Sequence, residues 1–460
     1  MTQKKQGWEI AADVRPDSRQ IKWQDMEFYG LISYGMNVFT GDQWGDGLAS
    51  PDRFWPEELD VDMWAATAEK AGMSALLLTV KHIDGFCLWP TAYTDYSVAA
   101  CKNWRDGEGD IVRELSEACR RHGLKFGVFY SIWDKHDADY GSGEKYDDKV
   151  CGELTELLTS YGEIFSVWLY PYIGEGRNGR VQKPDLERYF KLIRELQPDC
   201  VISGLGPDVR WDGTDRGFAL PNEWSVLPER IKNAPMTGRM PRDLGSRSSI
   251  KNDTEFVWYP LEISIPMRNH WFFTKDDNFS AKTKDKLFDK YYKSVGSNAN
   301  FMLGLSPDRR GAFDETETHI LSAFGRDLEA FFTYDLVADK GSVSVSSEMG
   351  DIYSGENVVS DRASFWRPAP NDKEPSVEIT FDKPEVFDKL VITENIAGGQ
   401  RVEEFEVLFR NPKGKIKTLC EGTTVGHKKI FDLPVTKTDY IKVVFKKFRN
   451  YIEITSIRIS

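Results

Sequence analysis

Two changes of rhythm along the chain predict a (β/α) barrel followed by a β-sandwich. From about residue 25 to 310, short apolar strands alternate with amphipathic helices. Strand, helix, strand repeated six or more times means a parallel sheet. From about residue 335 the apolar spacing drops from helical to alternate residues, which is the period of an antiparallel sheet. The dividing line is placed between residues 1–334 and 335–460. No GxGxxG follows the first strand, and about 300 residues need a place, so a closed barrel is favoured over a dinucleotide-binding fold.

The barrel strands are expected at 29–33, 75–80, 125–131, 166–171, 200–204, 256–264 and 300–305. Helices are expected at 110–122, 147–161 and 185–196, where apolar residues recur at helical spacing. Asp110 stands where an N-cap belongs and Gly123 follows the last turn of that helix. A helix near 320–332 bridges the two halves. The tail shows seven candidate strands, at 342–347, 376–381, 389–394, 403–409, 428–431, 440–445 and 452–459. Turn clusters such as Asn411-Pro412-Lys413-Gly414 separate them.

Composition excludes several classes of function. Sixty basic against 73 acidic side chains leave a net charge of −13. With no basic stripe, a nucleic-acid partner is not expected. No apolar run is long enough for a membrane-spanning helix, so no membrane partner is expected. Six scattered cysteines without a CxxC read as buried thiols, and no ligand cluster has metal spacing, so no cofactor is implied. The start, MTQKKQGW, carries no apolar signal region as written. Fourteen Trp and 18 Tyr favour a carbohydrate partner slightly, although most such rings are core material.

In a (β/α) barrel, functional side chains gather at the C-terminal ends of the strands. That rule selects Lys81-His82-Ile83-Asp84, Tyr130-Ser131-Ile132-Trp133-Asp134, Trp168-Leu169-Tyr170-Pro171 with Glu175, and Trp258-Tyr259-Pro260-Leu261-Glu262. His82 has two ring nitrogens to offer a hydroxyl, or a backbone group to satisfy. Asp84 before Gly85 fits a turn as well as a catalyst. Trp44, Trp133 and Trp211 fit either packing or a sugar platform. Glu262 is harder to read as structural, because burying a carboxylate in an apolar strand is costly.

Residues 81–98, KHIDGFCLWPTAYTDYSV, resemble the signature KHHDGFxLWxSxxTxxxV of the α-L-fucosidases, glycoside hydrolase family 29. Further resemblance comes from 28–47 (FYGLISYGMNVFTGDQWGDG), 161–179 (YGEIFSVWLYPYIGEGRNG), 258–268 (WYPLEISIPMR) and 294–307 (SVGSNANFMLGLSP). The tail motifs at 398–402 and 421–426 resemble the family's discoidin-like, galactose-binding sandwich. The resemblance implies a glycoside hydrolase, a carbohydrate partner and a periplasmic or secreted location. The FTGxxWGDG form points to the subgroup acting on branched α-1,3/1,4-linked fucose. Carried over residue by residue, it implies Glu262 as general acid/base. It implies Ser33, Gln43, Trp44, His82, Tyr130, Trp133, Glu175, Trp211, Asp212 and Arg268 around the sugar.

The departures shape the expected chemistry. Ser33 and Ile83 stand where the family has His, and Gln43 where it usually has Glu. Tyr170 stands where the family's WFDGAxGEGPNG supplies the Asp nucleophile. Retaining glycosidases need two carboxylates about 5–5.5 Å apart. A phenol, with a pKa near 10, attacks only if a base takes its proton. Three readings follow. One is a glycosidase of altered specificity, with Glu262 as acid/base and Tyr170, Glu175 or Asp212 completing the pair. Another is a carbohydrate-binding protein without catalysis. The third, an ordinary fucosidase with its nucleophile elsewhere, is disfavoured by Gly174-Glu175-Gly176, which anchors the motif just downstream. On simple fucosides, slow turnover or none is expected.

Overall fold

The computed structural model describes residues 5–234, 242–277, 280–359 and 364–460. Eight parallel strands form a nearly closed barrel. They are β1 (Phe28–Ile32), β2 (Ala75–Lys81), β3 (Lys125–Tyr130), β4 (Ile164–Leu169), β5 (Val201–Gly204), β6 (Arg210–Trp211), β9 (Leu261–Pro266) and β10 (Ala299–Leu305). Their order around the ring is β5, β4, β3, β2, β1, β10, β9, β6, and the open seam lies between β5 and β6. The expected barrel is therefore the observed one. Asp110 caps its helix as expected, accepting from the Arg113 backbone N–H, and Asp185, expected as the first helical residue, is instead the N-cap of its own, accepting from that of Arg188.

Strand parity sorts the core into two shells. Phe28, Leu76, Leu78, Val128, Val167, Ile263 and Leu303 pack outward under the helices. Tyr29, Leu31, Leu77, Phe129, Trp168 and Met302 fill the barrel. A register irregularity between β3 and β4 lets Phe165 and Trp168, three residues apart, both turn inward.

Three differences from the expected elements matter. The run 256–264 is two strands. β8 (Phe256–Trp258) pairs antiparallel with β7 (Val226–Pro228), outside the barrel, and only β9 joins it. Pro260 lies between the two strands, where a missing N–H interrupts pairing. The two-residue β6 is too short to announce itself as a periodicity. In the tail, 376–381 and 389–394 are one long strand, β12 (Ser376–Glu394). Likewise 428–431 and 440–445 join in β15 (Lys429–Phe448). Register shifts after Thr380 and Phe387 interrupt the β12–β15 pairing, so each half reads as a separate short strand.

β11 (Gly341–Val345), β13 (Val402–Arg410), β14 (Ile416–Gly422) and β16 (Ile454–Ile459) complete the sandwich. β14 escaped the periodicity because its residues are exposed or half-buried throughout. No helix among the described residues is long and apolar enough to cross a membrane.

Candidate active site

A cavity of about 570 Å³ opens at the C-terminal ends of the strands. Its depth follows from strand parity. On β1 Leu31 lines the cavity and Tyr29 does not; on β9 Ser264 lines it and Glu262 does not. Tyr29 and Glu262 therefore form the inward layer one step deeper. Nine aromatic side chains line it: Trp44, Phe129, Trp133, Trp168, Tyr170, Tyr172, Trp211, Trp271 and Phe272.

Of the residues singled out in the sequence, Ser33, Gln43, Trp44, His82, Trp133, Tyr170 and Trp211 line this cavity. Trp44, half exposed at the rim, lies nearly parallel to the His82 ring at 6.3 Å. Burial, helped by the charge of Lys135, holds the His82 pKa down to about 3, so the ring is neutral; its Nδ1 has no hydrogen-bond partner. Gln43 is already engaged: its Nε2 donates to the Phe272 carbonyl at 2.8 Å and its Oε1 accepts the Phe272 N–H at 3.0 Å. It clasps the loop that carries Trp271 and Phe272. Trp133 Nε1 donates to the Glu175 carbonyl at 3.0 Å, and Trp211 Nε1 to Ser264 Oγ at 2.7 Å. Those indoles are fixed before any ligand arrives.

Trp168 and Tyr170 share the inner side of their strand while Leu169 joins the outer core, as alternation requires. The Tyr170 ring lies 5.6 Å from His82, 5.5 Å from Phe129 and 5.3 Å from Tyr172. Among the described residues, neither a carboxylate nor a histidine is hydrogen-bonded to its hydroxyl. Burial raises its pKa, and Tyr172 and Asp215 raise it further.

Five residues sit elsewhere. Glu262 is fully buried beneath the cavity, where its Oε1 accepts from Trp168 Nε1 at 2.7 Å and its Oε2 from the Tyr29 hydroxyl. The strand-end rule had placed it at the mouth, but β9 begins only at Leu261, so Glu262 stands near the strand's N-terminal end. Burial still lifts its pKa to about 7. Tyr130 points outward, donating to Glu153 at 2.5 Å under the helix Glu144–Ser160, because Phe129 takes the inward position. Arg268 is buried against Glu317, with Nε to Oε1 at 2.8 Å, and donates to the Asp277 carbonyl. Glu175 is exposed and lends the cavity wall only its carbonyl. Asp212 is buried behind Trp211, bonded to Thr214, with its pKa raised to about 6 by burial.

Among the described residues, the carboxylate that does line the cavity is Asp215. It accepts from Trp271 Nε1 at 3.2 Å, and burial raises its pKa. Its backbone is left-handed, at φ 52, a conformation uncommon outside glycine that tends to collect at functional sites. Neither Asp215 nor the cavity-lining Lys135, Tyr172, Trp271 and Phe272 was found in the sequence. Asp215 follows the unrecognised β6, although the run Arg210-Trp211-Asp212-Gly213 led up to it. Lys135 is the residue next to a strand-end run already selected.

Loops 41–47, 82–86 and 133–137 form one wall. A Cβ at Gly45 would meet that of Asp84 at 2.6 Å, and one at Gly47 would meet the His136 nitrogen at 2.7 Å. Both glycines have positive φ, so no other residue fits this approach without strain.

A parallel barrel with an aromatic cavity at its strand ends, followed by a discoidin-like sandwich, has the architecture of a carbohydrate-active barrel protein. The Alpha-L-fucosidase family model matches residues 18–331, and the F5/8 type C domain model matches 342–458. The chain is 35% identical to Alpha-L-fucosidase 1 of Arabidopsis thaliana over 441 residues, covering 94% of this chain and 85% of that protein. A putative α-L-fucosidase structure from Bacteroides ovatus superposes with a TM-score of 0.87 at 32% identity, over 100% of this chain and 76% of that one. A Ruminococcus gnavus GH29 fucosidase in complex with fucose gives 0.87 at 28%, over 97% and 95%. The chain belongs to the α-L-fucosidase family.

Proposed function

We propose that this chain is a saccharide-binding member of its family in which hydrolysis by double displacement is lost or very slow. The observation that carries this reading is the surroundings of Tyr170. Among the described residues no carboxylate or histidine is hydrogen-bonded to its hydroxyl, and the carboxylate that lines the same cavity, Asp215, raises the phenol's pKa. A tyrosine nucleophile needs the opposite: a base to take its proton, or a cation to lower its pKa. Among the described residues one carboxylate, Asp215, lines the cavity, where the usual retaining mechanism divides the work between two. Glu262 lies one layer too deep, Asp212 behind the wall and Glu175 outside. What remains is a deep aromatic cavity with a few polar groups, the usual make-up of a binding site. Fixed indoles cost little ordering on binding. Tyr170 then takes the part of a platform.

The ligands favoured by this reading are glycans with terminal α-1,3- or α-1,4-linked fucose. A periplasmic or secreted setting belongs to the same proposal, supported by the glycan-directed family alone.

A second reading, a glycosidase of altered chemistry, is favoured by one observation. Asp215 combines a left-handed backbone, a raised pKa and a place on the cavity wall, as a proton donor would. Calorimetric titration with α-1,3/1,4-fucosylated oligosaccharides separates the two. On the binding reading, Tyr170→Ala weakens binding at least tenfold, Tyr170→Phe by less than threefold, and no sugar is released. Release of fucose that Tyr170→Phe or Asp215→Asn abolishes would establish the glycosidase instead.

A further inference from the structure

We propose that the cavity takes a saccharide carrying an anionic substituent, a carboxylate or a sulfate ester, and that Lys135 meets its charge. This rests on the saccharide-binding reading above and adds the class of ligand to it.

Lys135 lines the cavity just beyond the end of β3. Its Nζ donates to the Gly45 carbonyl at 2.8 Å and lies 5.3 Å from the centroid of the Trp133 ring. An ammonium has three N–H donors, so two remain after that bond. Among the described residues Lys135 makes no ion pair, in a chain whose 73 acidic side chains outnumber its 60 basic ones. A cation left unpaired on a half-buried wall is costly to desolvate unless a ligand brings the counter-charge.

The neighbours on that wall fit an anion. Ser33, Gln43, Trp44, His82 and Trp133 include no carboxylate. His82 is held neutral, partly by Lys135 itself. Five acidic groups stand on the loops of this wall without lining the cavity. Asp134 is paired with Lys81, Asp137 with Lys149, and Asp46 accepts the Leu48 N–H. Asp84 is buried beneath Gly45 with its pKa raised to about 7, and Asp42 accepts from the Trp44 N–H. Asp215, which also lines the cavity, follows β6, three places from β3 around the ring on the side of the open seam. The ammonium is also held in place before binding. Gly45 packs on Asp84, and Trp133 is tied to the Glu175 carbonyl. The chain's net charge of −13 opposes anions at long range, but physiological salt screens this beyond about 8 Å.

The test is calorimetric titration of the intact chain at 50 and 500 mM NaCl. The probes are methyl α-L-fucoside, its 2-, 3- and 4-O-sulfates, methyl glucoside and methyl glucuronide. At low salt at least one anionic member should bind about tenfold more tightly than its neutral parent, and high salt should shrink the gain. Lys135→Gln should bring the anionic-to-neutral ratio to about one, and Lys135→Arg should keep it. The sulfate and glucuronide arms tell which anion is met. Neutral sugars binding as tightly as every anionic one would overturn the charge inference and leave the saccharide reading standing. A gain that survives in Lys135→Gln would remove Lys135 from it. Binding of neither kind would sink both.

Discussion

Glu262 has the raised pKa of a proton donor, about 7, yet Trp168 and Tyr29 occupy its two oxygens. The shift comes from burial, and burial is also what keeps the group from any substrate. That gives Glu262 a measurable signature in stability. Its folded pKa lies above the ordinary 4.5, so the native state holds a proton that the unfolded chain has released. The contribution is fully present below about pH 4.5 and is lost as pH rises through 7. Glu262→Gln can keep both contacts, with its amide oxygen accepting from Trp168 and its NH₂ donating to Tyr29. Denaturant unfolding at pH 4 and pH 8 should show the variant gaining ~3 kcal/mol on the parent chain over that range. Equal pH dependence of the two proteins would mean that Glu262 titrates normally. The sequence made this carboxylate visible, since Glu inside an apolar strand is conspicuous. Its depth was not visible, because depth depends on where β9 begins, and the β8–β9 junction at Tyr259-Pro260 carries no periodicity signal.

At the scale of elements, Lys81 shows how strand parity divides structure from site. His82, one residue on, reaches the cavity, while Lys81 points outward to Asp134 at 2.8 Å and Glu153 at 2.9 Å, all three buried. Burial opposes the ammonium's charge, but the two carboxylates outweigh it and hold Lys81 protonated. The cluster ties β2 to the helix Glu144–Ser160, and Asp134 goes on to accept the His136 and Asp137 N–H groups. In this way it sets the loop that carries Trp133 and Lys135. Lys81→Met should destabilise the protein by about 3–5 kcal/mol, because it leaves two buried carboxylates facing each other. Urea unfolding measures this, and a loss below about 1 kcal/mol would show the cluster to be hydrated and loose. The helices and strands here were legible from spacing. The partner of Lys81 was not, since Glu153 lies 72 residues away and only the packed fold brings them together.

At the scale of the whole molecule, barrel and sandwich share a polar, closely bonded seam. Gln400 of the sandwich accepts the Ser225 N–H at 2.7 Å and donates to the Glu223 carbonyl at 2.9 Å. His427 meets Asp25 at 2.9 Å, its N–H donates to Asn298, and Arg247 pairs with Glu403 at 2.7 Å. The seam leaves the barrel mouth to the strand-end loops, so the cavity is built by the barrel alone. The change of periodicity was enough to read both folds, and residue motifs were enough to read the family. The place of Tyr170 at a strand end was legible as well, but only the assembled cavity shows that, among the described residues, neither a carboxylate nor a histidine is hydrogen-bonded to its hydroxyl. The most direct measurement is a one-day proton NMR time course of an aryl α-L-fucoside with the protein, recording saturation transfer and the anomeric signal together. The account predicts transfer to the sugar ring protons with the anomeric doublet of the fucoside intact throughout. Loss of that doublet and release of fucose within minutes, at the rate of an ordinary fucosidase, would contradict it.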